Sequence, residues 1–170
     1  TFGVELDVKK NLDFIGLRGL SFVCNAAYIY SRVRFEEGAP ERDRPLAGQS
    51  PYLVNAGFFY QYDDKGISAS LLYNRIGKRI ESVGVPMQNQ DEDIPDIYEM
   101  PRNSLDLTFS KKIGKIVEIK AGIQDILNSK VEYKQFVKLT DDKGGKSERE
   151  QLIRSYRPGV DINIGVSLRF

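Results

Sequence analysis

Apolar and polar residues alternate with a period of two along much of this 170-residue chain. The alternation is clearest at residues 161–170, where every second position is apolar: Ile162, Ile164, Val166, Leu168 and Phe170. The positions between them are polar or glycine. Since successive side chains of a β-strand point to opposite faces, this pattern predicts a strand with one apolar and one polar face. No helical periodicity is sustained anywhere in the chain.

Six further segments show the same alternation, and seven strands are predicted. They lie near residues 1–10, 20–36, 50–62, 67–79, 104–112, 116–127 and 157–170. The apolar positions that we predict to face lipid are Phe2, Val4, Leu6, Val8, Val54, Phe58, Ile67, Leu71, Leu105, Leu107, Phe109, Val117, Ile119 and Ile123. The opposite face is mostly polar, although Leu53, Phe59 and Leu72 interrupt it. In the second segment the even positions are assigned to the apolar face, because Asn25 and Ser31 belong with the polar one.

The predicted connections differ in length in a regular way. Those at residues 63–66 and 113–115 are short turns, and residues 11–19 form a medium one. Gly66 occupies a turn position that favours a positive φ. Long polar loops are predicted at residues 37–49, 80–103 and 128–156, and residues 149–154 are compatible with a helical turn. Alternating short turns and long loops are typical of outer-membrane β-barrels, whereas a soluble sandwich has no reason to sort its loops by length.

Three features indicate that the apolar face meets lipid and not a second protein layer. The centre of this face carries no charge, because Arg75 and Asp125 fall only near the ends that lead into long loops. The chain stops on an aromatic residue that ends an alternating strand. Tyrosines, which suit the boundary between hydrocarbon and water, recur near strand ends. These predicted interface aromatics are Tyr28, Tyr30, Tyr60, Tyr62 and Tyr73.

Composition excludes several other classes of function. Lys and Arg total 25 and Asp and Glu total 24, so the net charge of +1 provides no basic surplus for nucleic acid. Histidine is absent and Cys24 is the single cysteine, which removes the commonest catalytic and metal-binding sets. We therefore expect neither an enzyme nor a cofactor. The acidic residues at 91–96 lack the spacing of a calcium loop and are expected to be solvated.

A spanning sheet must close on itself, because lipid offers no hydrogen bonds to free strand edges. Seven strands are one short of the smallest even-numbered barrels, which have about eight. The predicted sheet is therefore one arc of a larger barrel. The chain also begins inside an alternating strand without an initiator methionine, so we interpret it as a fragment or a processed product.

Four stretches, which follow one another in order between residues 44 and 128, resemble the C-terminal barrel of TonB-dependent receptors from Bacteroidota. They are RPLAGQSPYLVNAGFFYQ at 44–61, LLYNRIGKRIESVG at 71–84, YEMPRNSLDLTFSKKIGK at 98–115 and EIKAGIQDILN at 118–128. The final strand is similar to the C-terminal signal that the barrel assembly machinery reads. The predicted assembly signal comprises Ile162, Ile164, Val166, Leu168 and Phe170.

The resemblance implies an all-β, antiparallel transmembrane barrel of about 22 strands, of which residues 1–170 supply the C-terminal part. A plug domain and earlier strands, absent from this sequence, would complete it. The implied function is TonB-coupled uptake of an iron chelate, cobalamin, oligosaccharide or peptide across the bacterial outer membrane. The implied partners are outer-membrane lipid and lipopolysaccharide, the rest of the barrel and plug, TonB, the assembly machinery and, for some members, a lid-like surface lipoprotein.

Two alternatives stay open from the sequence. One is a passive porin-like or adhesin-like barrel, which would have more strands upstream but no plug. The other is a soluble β-sandwich interaction module, in which a second sheet would cover the apolar face. The binding residues for a substrate are not identifiable from the pattern.

Overall fold

A computed structural model describes residues 1–87, 93–140 and 145–169. The chain is all-β and its strands pair antiparallel, as predicted. The strands are β1 (Phe2–Asn11), β2 (Leu20–Tyr30), β3 (Tyr52–Tyr62), β4 (Ile67–Ile76), β5 (Arg79–Ser82), β6 (Ile97–Glu99), β7 (Arg102–Ile113), β8 (Val117–Gln124), β9 (Val131–Thr140), β10 (Lys146–Tyr156) and β11 (Asp161–Leu168). Short 3-10 turns at Asp13–Ile15 and Asp63–Lys65 follow β1 and β3.

Seven strands form the large sheet, in the order β1-β2-β3-β4-β7-β8-β11. They correspond to the seven predicted strands, and no register shift interrupts their pairing. Five of them, β2, β3, β4, β8 and β11, are shorter than predicted at the end that adjoins a long connection. For example, β2 ends at Tyr30, where the prediction extended to residue 36.

Connection lengths are sorted onto two ends of the large sheet. Because consecutive strands are antiparallel neighbours, the short connections at 12–19, 63–66 and 114–116 lie together at one end. The long connections at 31–51, 77–101 and 125–160 lie together at the opposite end. Gly66 has a φ of 58°, as expected for its turn. The predicted sorting of loops is confirmed.

Two of the long connections contain strands that the sequence pattern did not predict. A small sheet has the order β10-β9-β6-β5 and lies within residues predicted to be loops at 80–103 and 128–156. The helical turn suggested for residues 149–154 is wrong, because these residues belong to β10. Strand β10 pairs with β9 along its whole length, with one bulge near Ile153.

The small sheet repeats the strand order of the large one. Strand β4 leads into β5, β6 into β7, β8 into β9 and β10 into β11. In the large sheet the order of neighbours is β4, β7, β8 and β11. The small sheet continues these strands beyond the long-connection end, so its neighbours follow the same order: β5, β6, β9 and β10. Short breaks at 77–78, 100–101, 125–130 and 157–160 separate the two levels.

The chain buries little of its surface. Its accessible area is 12248 Å², whereas a folded monomer of 19.3 kDa is expected to expose about 8,500 Å². The strongly buried apolar residues of the described chain are Ile80 and Val131, both in the small sheet. The large sheet has no core of its own, and it is open: β1 and β11 each pair with one neighbour among the described residues.

Candidate functional site

The predicted apolar positions of the large sheet all lie on one face. Residues that pair directly across antiparallel strands share a face, and the registers connect Phe58 with Leu71 and Leu71 with Leu107. One row crosses six strands and consists of Phe22, Phe58, Leu71, Leu107, Ile123 and Ile162. The same registers place the even positions of β1 and β2 on this side. We refer to this surface as the apolar face.

The apolar face is open to its surroundings. Phe2 is 65% exposed, Leu107 39% and Ile164 77%, so no second layer of the described chain covers it. An exposed apolar surface that spans seven strands is far larger than the patches that soluble monomers present.

Tyrosines flank the apolar face at both ends. Tyr28 and Tyr30 lie towards the long connections, and Tyr60 and Tyr62 towards the short turns. Tyr73 lies nearer the middle, where its hydroxyl donates a 2.8 Å hydrogen bond to Asn103 Oδ1. All five predicted interface aromatics are therefore on the apolar face, four of them near its ends.

The two charges predicted near the loop ends behave differently. Arg75 lies on the apolar face, where its Nη1 donates to Asn103 Oδ1 at 2.8 Å and its guanidinium lies 6.0 Å from the Tyr52 ring. Asp125 does not lie there, and that prediction is wrong. Its φ of 53° breaks the alternation, and its carboxylate forms an ion pair with Arg102 on the polar side.

Strand β11 carries the predicted assembly signal along the edge of the large sheet. Ile162, Ile164, Val166 and Leu168 pair with apolar-face residues of β8, so they lie on the apolar face. Phe170 lies outside the described residues. The structure therefore places four of the five signal residues, and their role stays a prediction.

The opposite surface of the large sheet, the polar face, is held together by cross-strand hydrogen bonds. Ser70 and Thr108 hydroxyls are 2.6 Å apart, and Ser68 and Ser110 hydroxyls are 2.7 Å apart. A row of polar residues crosses five strands at Asp7, Asn25, Asn55, Asn74 and Ser104. Such pairs satisfy one another and leave a hydrated, hydrogen-bonded surface.

Leu72 and Phe59, which blurred the sequence pattern, also lie on the polar face. A Cβ at Gly57 would meet the Leu72 side chain at 2.5 Å and the Phe59 ring at 3.3 Å. The glycine therefore provides the space over which these two side chains pack. Both remain more than a third exposed, so the polar face contains a small apolar island.

A cleft at the long-connection end joins all three long connections. Its volume is about 380 Å³, within the ~300–1,000 Å³ typical of small-molecule sites. It is lined by three segments: residues 41–45; residues 83–86 and 93–96 with Tyr98; and residues 136–138 with Glu148. Arg42 and Asp93 form an ion pair between the first two segments, and Gly48 N donates to Ile80 O at 2.8 Å. We refer to this feature as the loop cleft.

Of the four acidic residues at 91–96 that were predicted to be solvated, the structure describes two, and both have polar partners. Asp91 and Glu92 lie outside the described residues. Asp93 pairs with Arg42, and Asp96 Oδ1 accepts a 2.8 Å hydrogen bond from Gly84 N. Within the described ranges, no group of three or more potential ligands is placed to hold a metal ion.

An aromatic pair lies at one side of the loop cleft. The rings of Tyr98 and Phe136 are 5.7 Å apart in an edge-to-face arrangement, and Lys78 Nζ lies 4.4 Å from each ring centroid. Burial, followed by the nearby Asp96 carboxylate, raises the pKa of the Tyr98 hydroxyl. The cleft thus combines aromatic surface with charges of both signs. The sequence pattern did not predict the aromatic pair, because its members are 38 residues apart.

Comparison of the chain with protein-family models, with curated proteins and with solved structures found no match. In the described part of the chain, no helix has the length and apolar character needed to cross a membrane.

Proposed function

We propose that this chain is part of the wall of an outer-membrane β-barrel, and that the barrel belongs to a TonB-dependent uptake receptor. In this proposal the apolar face contacts lipid, the polar face lines the lumen and the long connections face outward. The observation that carries the proposal is the single apolar face that crosses seven strands while no described residue covers it. Such a surface is stable in hydrocarbon but would aggregate in water.

The spacing of the tyrosines agrees with the thickness of a membrane. Tyr52 and Tyr62 begin and end β3 on the same face, ten residues apart. At about 3.3 Å per residue the strand between them is about 33 Å long. A strand tilt of about 40° reduces that length to about 25 Å along the membrane normal, which is the height of the apolar band in such barrels.

The directions of the two edge strands limit how the sheet can close. Strands β1 and β11 both run towards the short turns, so they are parallel to each other. An all-antiparallel barrel therefore needs an odd number of further strands between them. A barrel of about 22 strands would supply about 22 − 7 = 15, which is odd. Pairing of two edges within one chain, or between copies in a ring, would instead create a parallel pair.

A soluble sandwich is the less favoured alternative. It requires a second layer over the apolar face, and the small sheet does not provide one, because it continues the strands of the large sheet beyond its end. Assignment to an active transporter, and not to a passive pore, rests on the resemblance of residues 44–61, 71–84, 98–115 and 118–128 to TonB-dependent receptors.

The full-length protein that contains this chain tests the proposal in two stages. It should sediment with the outer membrane and migrate faster on gels when unheated than when boiled, as folded barrels do. Uptake of a panel of ferric chelates, cobalamin, oligosaccharides and peptides is then measured with and without TonB. Loss of uptake of one panel member without TonB supports the receptor; TonB-independent uptake indicates a passive pore. A soluble, cooperatively melting monomer would overturn the membrane assignment.

A further inference from the structure

The small sheet has two sides: an inner side above the polar face and an outer side above the apolar face. Lys78, which is adjacent to Gly77, contacts Tyr98 and Phe136, and Tyr98 pairs with Ile80. These residues therefore share one side. A Cβ at Gly77 would instead meet the ring of Tyr52, which lies on the apolar face. The alternation continues through the break, so Arg79 lies above the apolar face.

A row of four residues crosses the small sheet on this outer side. The registers align Arg79, Glu99, Tyr133 and Arg154 directly across four strands. Arg79 is neutralised by Glu99, with Nη2 and Oε2 2.7 Å apart. Arg154 is exposed and lies over the ring of Tyr133, with its guanidinium carbon 4.1 Å from the centroid.

Arg75 lies below this row, at the upper end of the apolar face. Its guanidinium donates to Asn103 Oδ1 and, at 3.4 Å, to the Tyr52 hydroxyl. Within the described residues, neither Arg75 nor Arg154 has a carboxylate within 4.0 Å, unlike Arg79. A guanidinium has five N–H donors, so each of these arginines retains donors for an external acceptor.

We propose that Arg75 and Arg154, each supported by a tyrosine ring, bind the phosphate groups of outer-leaflet lipids. This proposal rests on the proposed function, because it requires the apolar face to be surrounded by lipid. Three points carry it. The two arginines lie on the lipid side, Arg75 where the apolar surface ends and Arg154 in the row above it, and neither has an acidic partner among the described residues. A guanidinium matches a phosphate by paired hydrogen bonds and is weakly hydrated, which suits this boundary.

The location separates this surface from the loop cleft. The cleft and the Tyr98–Phe136 pair lie on the inner side of the small sheet, whereas Arg154 lies on the outer side. A change at Arg75 and Arg154 should therefore alter lipid selectivity and leave the cleft in place.

The test compares two double variants of the full-length protein in lipid nanodiscs. One is Arg75→Gln with Arg154→Gln. The matched control is Lys120→Gln with Lys138→Gln, which removes the same charge from the polar face and from the inner side of the small sheet. Selectivity is measured by electron paramagnetic resonance, as the association of spin-labelled phosphatidylglycerol relative to spin-labelled phosphatidylcholine.

The unmodified protein should select the anionic lipid. In the arginine variant the ratio of anionic to neutral lipid association should fall by up to about five-fold for each arginine removed. The lysine control should keep the ratio of the unmodified protein. Replacement of both arginines by lysine should restore part of the effect, which shows that the loss is not misfolding. Unchanged selectivity in the arginine variant, or an equal loss in the lysine control, would overturn the proposal. Loss of selectivity on addition of millimolar inorganic phosphate would also overturn the proposal, since the arginines would then bind free phosphate and not lipid. Barrel formation in purely neutral nanodiscs tests the proposed function separately.

Discussion

The large and small sheets use the same strand order but follow different rules of side-chain placement. In the large sheet, apolar residues occupy one face and remain exposed. In the small sheet both faces carry charges: Lys134 pairs with Glu150 on one, at 2.6 Å, and Arg79 with Glu99 on the other. The small sheet nevertheless contains the two strongly buried apolar residues of the described chain, Ile80 and Val131.

This difference is what two different solvents would produce along continuous strands. A strand in a bilayer must present apolar side chains to lipid and needs no covered core. A strand that continues into water has charged pairs on both faces and is stabilised by cross-strand interactions and a few buried contacts. The pattern of side-chain placement changes at the breaks near residues 77 and 101, which adjoin Arg75 and Asn103 at the long-connection end of the large sheet.

Adjacent leucines of β4 provide the largest expected effect. Leu71 lies on the apolar face and Leu72 on the polar face, and each is 37% exposed. In the proposed membrane orientation, Leu71→Arg should lower the free energy of unfolding by about 2–4 kcal/mol, because the charge would enter hydrocarbon. Leu72→Arg should cost about 1 kcal/mol or less, since its guanidinium meets water. Equal losses in chemical denaturation from lipid vesicles would contradict the assignment of the two faces.

The core of the small sheet is expected to act locally. Ile80 is 1% exposed, so Ile80→Ala should destabilise the small sheet by about 2 kcal/mol. This is at the low end for such truncations, because the small sheet has few buried apolar side chains. Hydrogen exchange should accelerate in β5, β6 and β9 but not in β2 or β3. Ile94→Ala, at a residue 50% exposed in the same connection, is the matched control and should change little. Faster exchange throughout both sheets would show that they unfold as one unit.

The Arg79–Glu99 ion pair on the outer side of the small sheet should contribute less to stability than the side chain of Ile80. Glu99→Gln removes the carboxylate that pairs with the partly exposed Arg79, and we expect a loss of about 0.5–1 kcal/mol that decreases as salt is added. Glu118→Gln, which breaks a longer 3.4 Å pair with the exposed Lys120 of the large sheet, should cost less still. The comparison is made by denaturation at low and high salt, and the reverse order of losses would contradict it.

The smallest effect concerns alkaline pH. Burial raises the pKa of Tyr98, so the folded small sheet favours the neutral phenol. Its contribution to stability is fully present below about pH 10, the unfolded pKa of tyrosine, and is lost as pH rises through the higher folded pKa. Limited proteolysis of the long connections should therefore accelerate above about pH 10. Tyr98→Phe should lack that acceleration; an identical pH profile in the variant would exclude this tyrosine as the cause.

The sequence alone was sufficient to predict the seven strands of the large sheet and the sorting of its connections. Residues such as Leu105, Leu107 and Ile123 reveal their face because apolar and polar positions alternate strictly around them. The strands β9 and β10 were missed since residues such as Lys134 and Glu150 stabilise them by pairing across strands, which leaves no apolar period to detect.

Local backbone conformation and long-range contacts explain the other differences. Asp125 was assigned to the wrong face because its positive φ reverses the alternation, and no neighbouring glycine signals this. The loop cleft depends on contacts between distant segments, such as the Arg42–Asp93 pair, which are 51 residues apart. Composition showed that charges were present in these loops but not which of them meet.

The most direct test of the account is a cysteine scan of residues 161–168 in the full-length protein, in a background where Cys24 and any further cysteine are replaced by serine. Each cysteine carries a spin label, and its collisions with lipid-soluble oxygen and with a water-soluble nickel chelate are compared. We predict alternation: labels at Ile162, Ile164, Val166 and Leu168 meet oxygen, and labels at the positions between them meet the nickel chelate. Protection of the four apolar positions from both reagents would show that protein covers the face assigned to lipid.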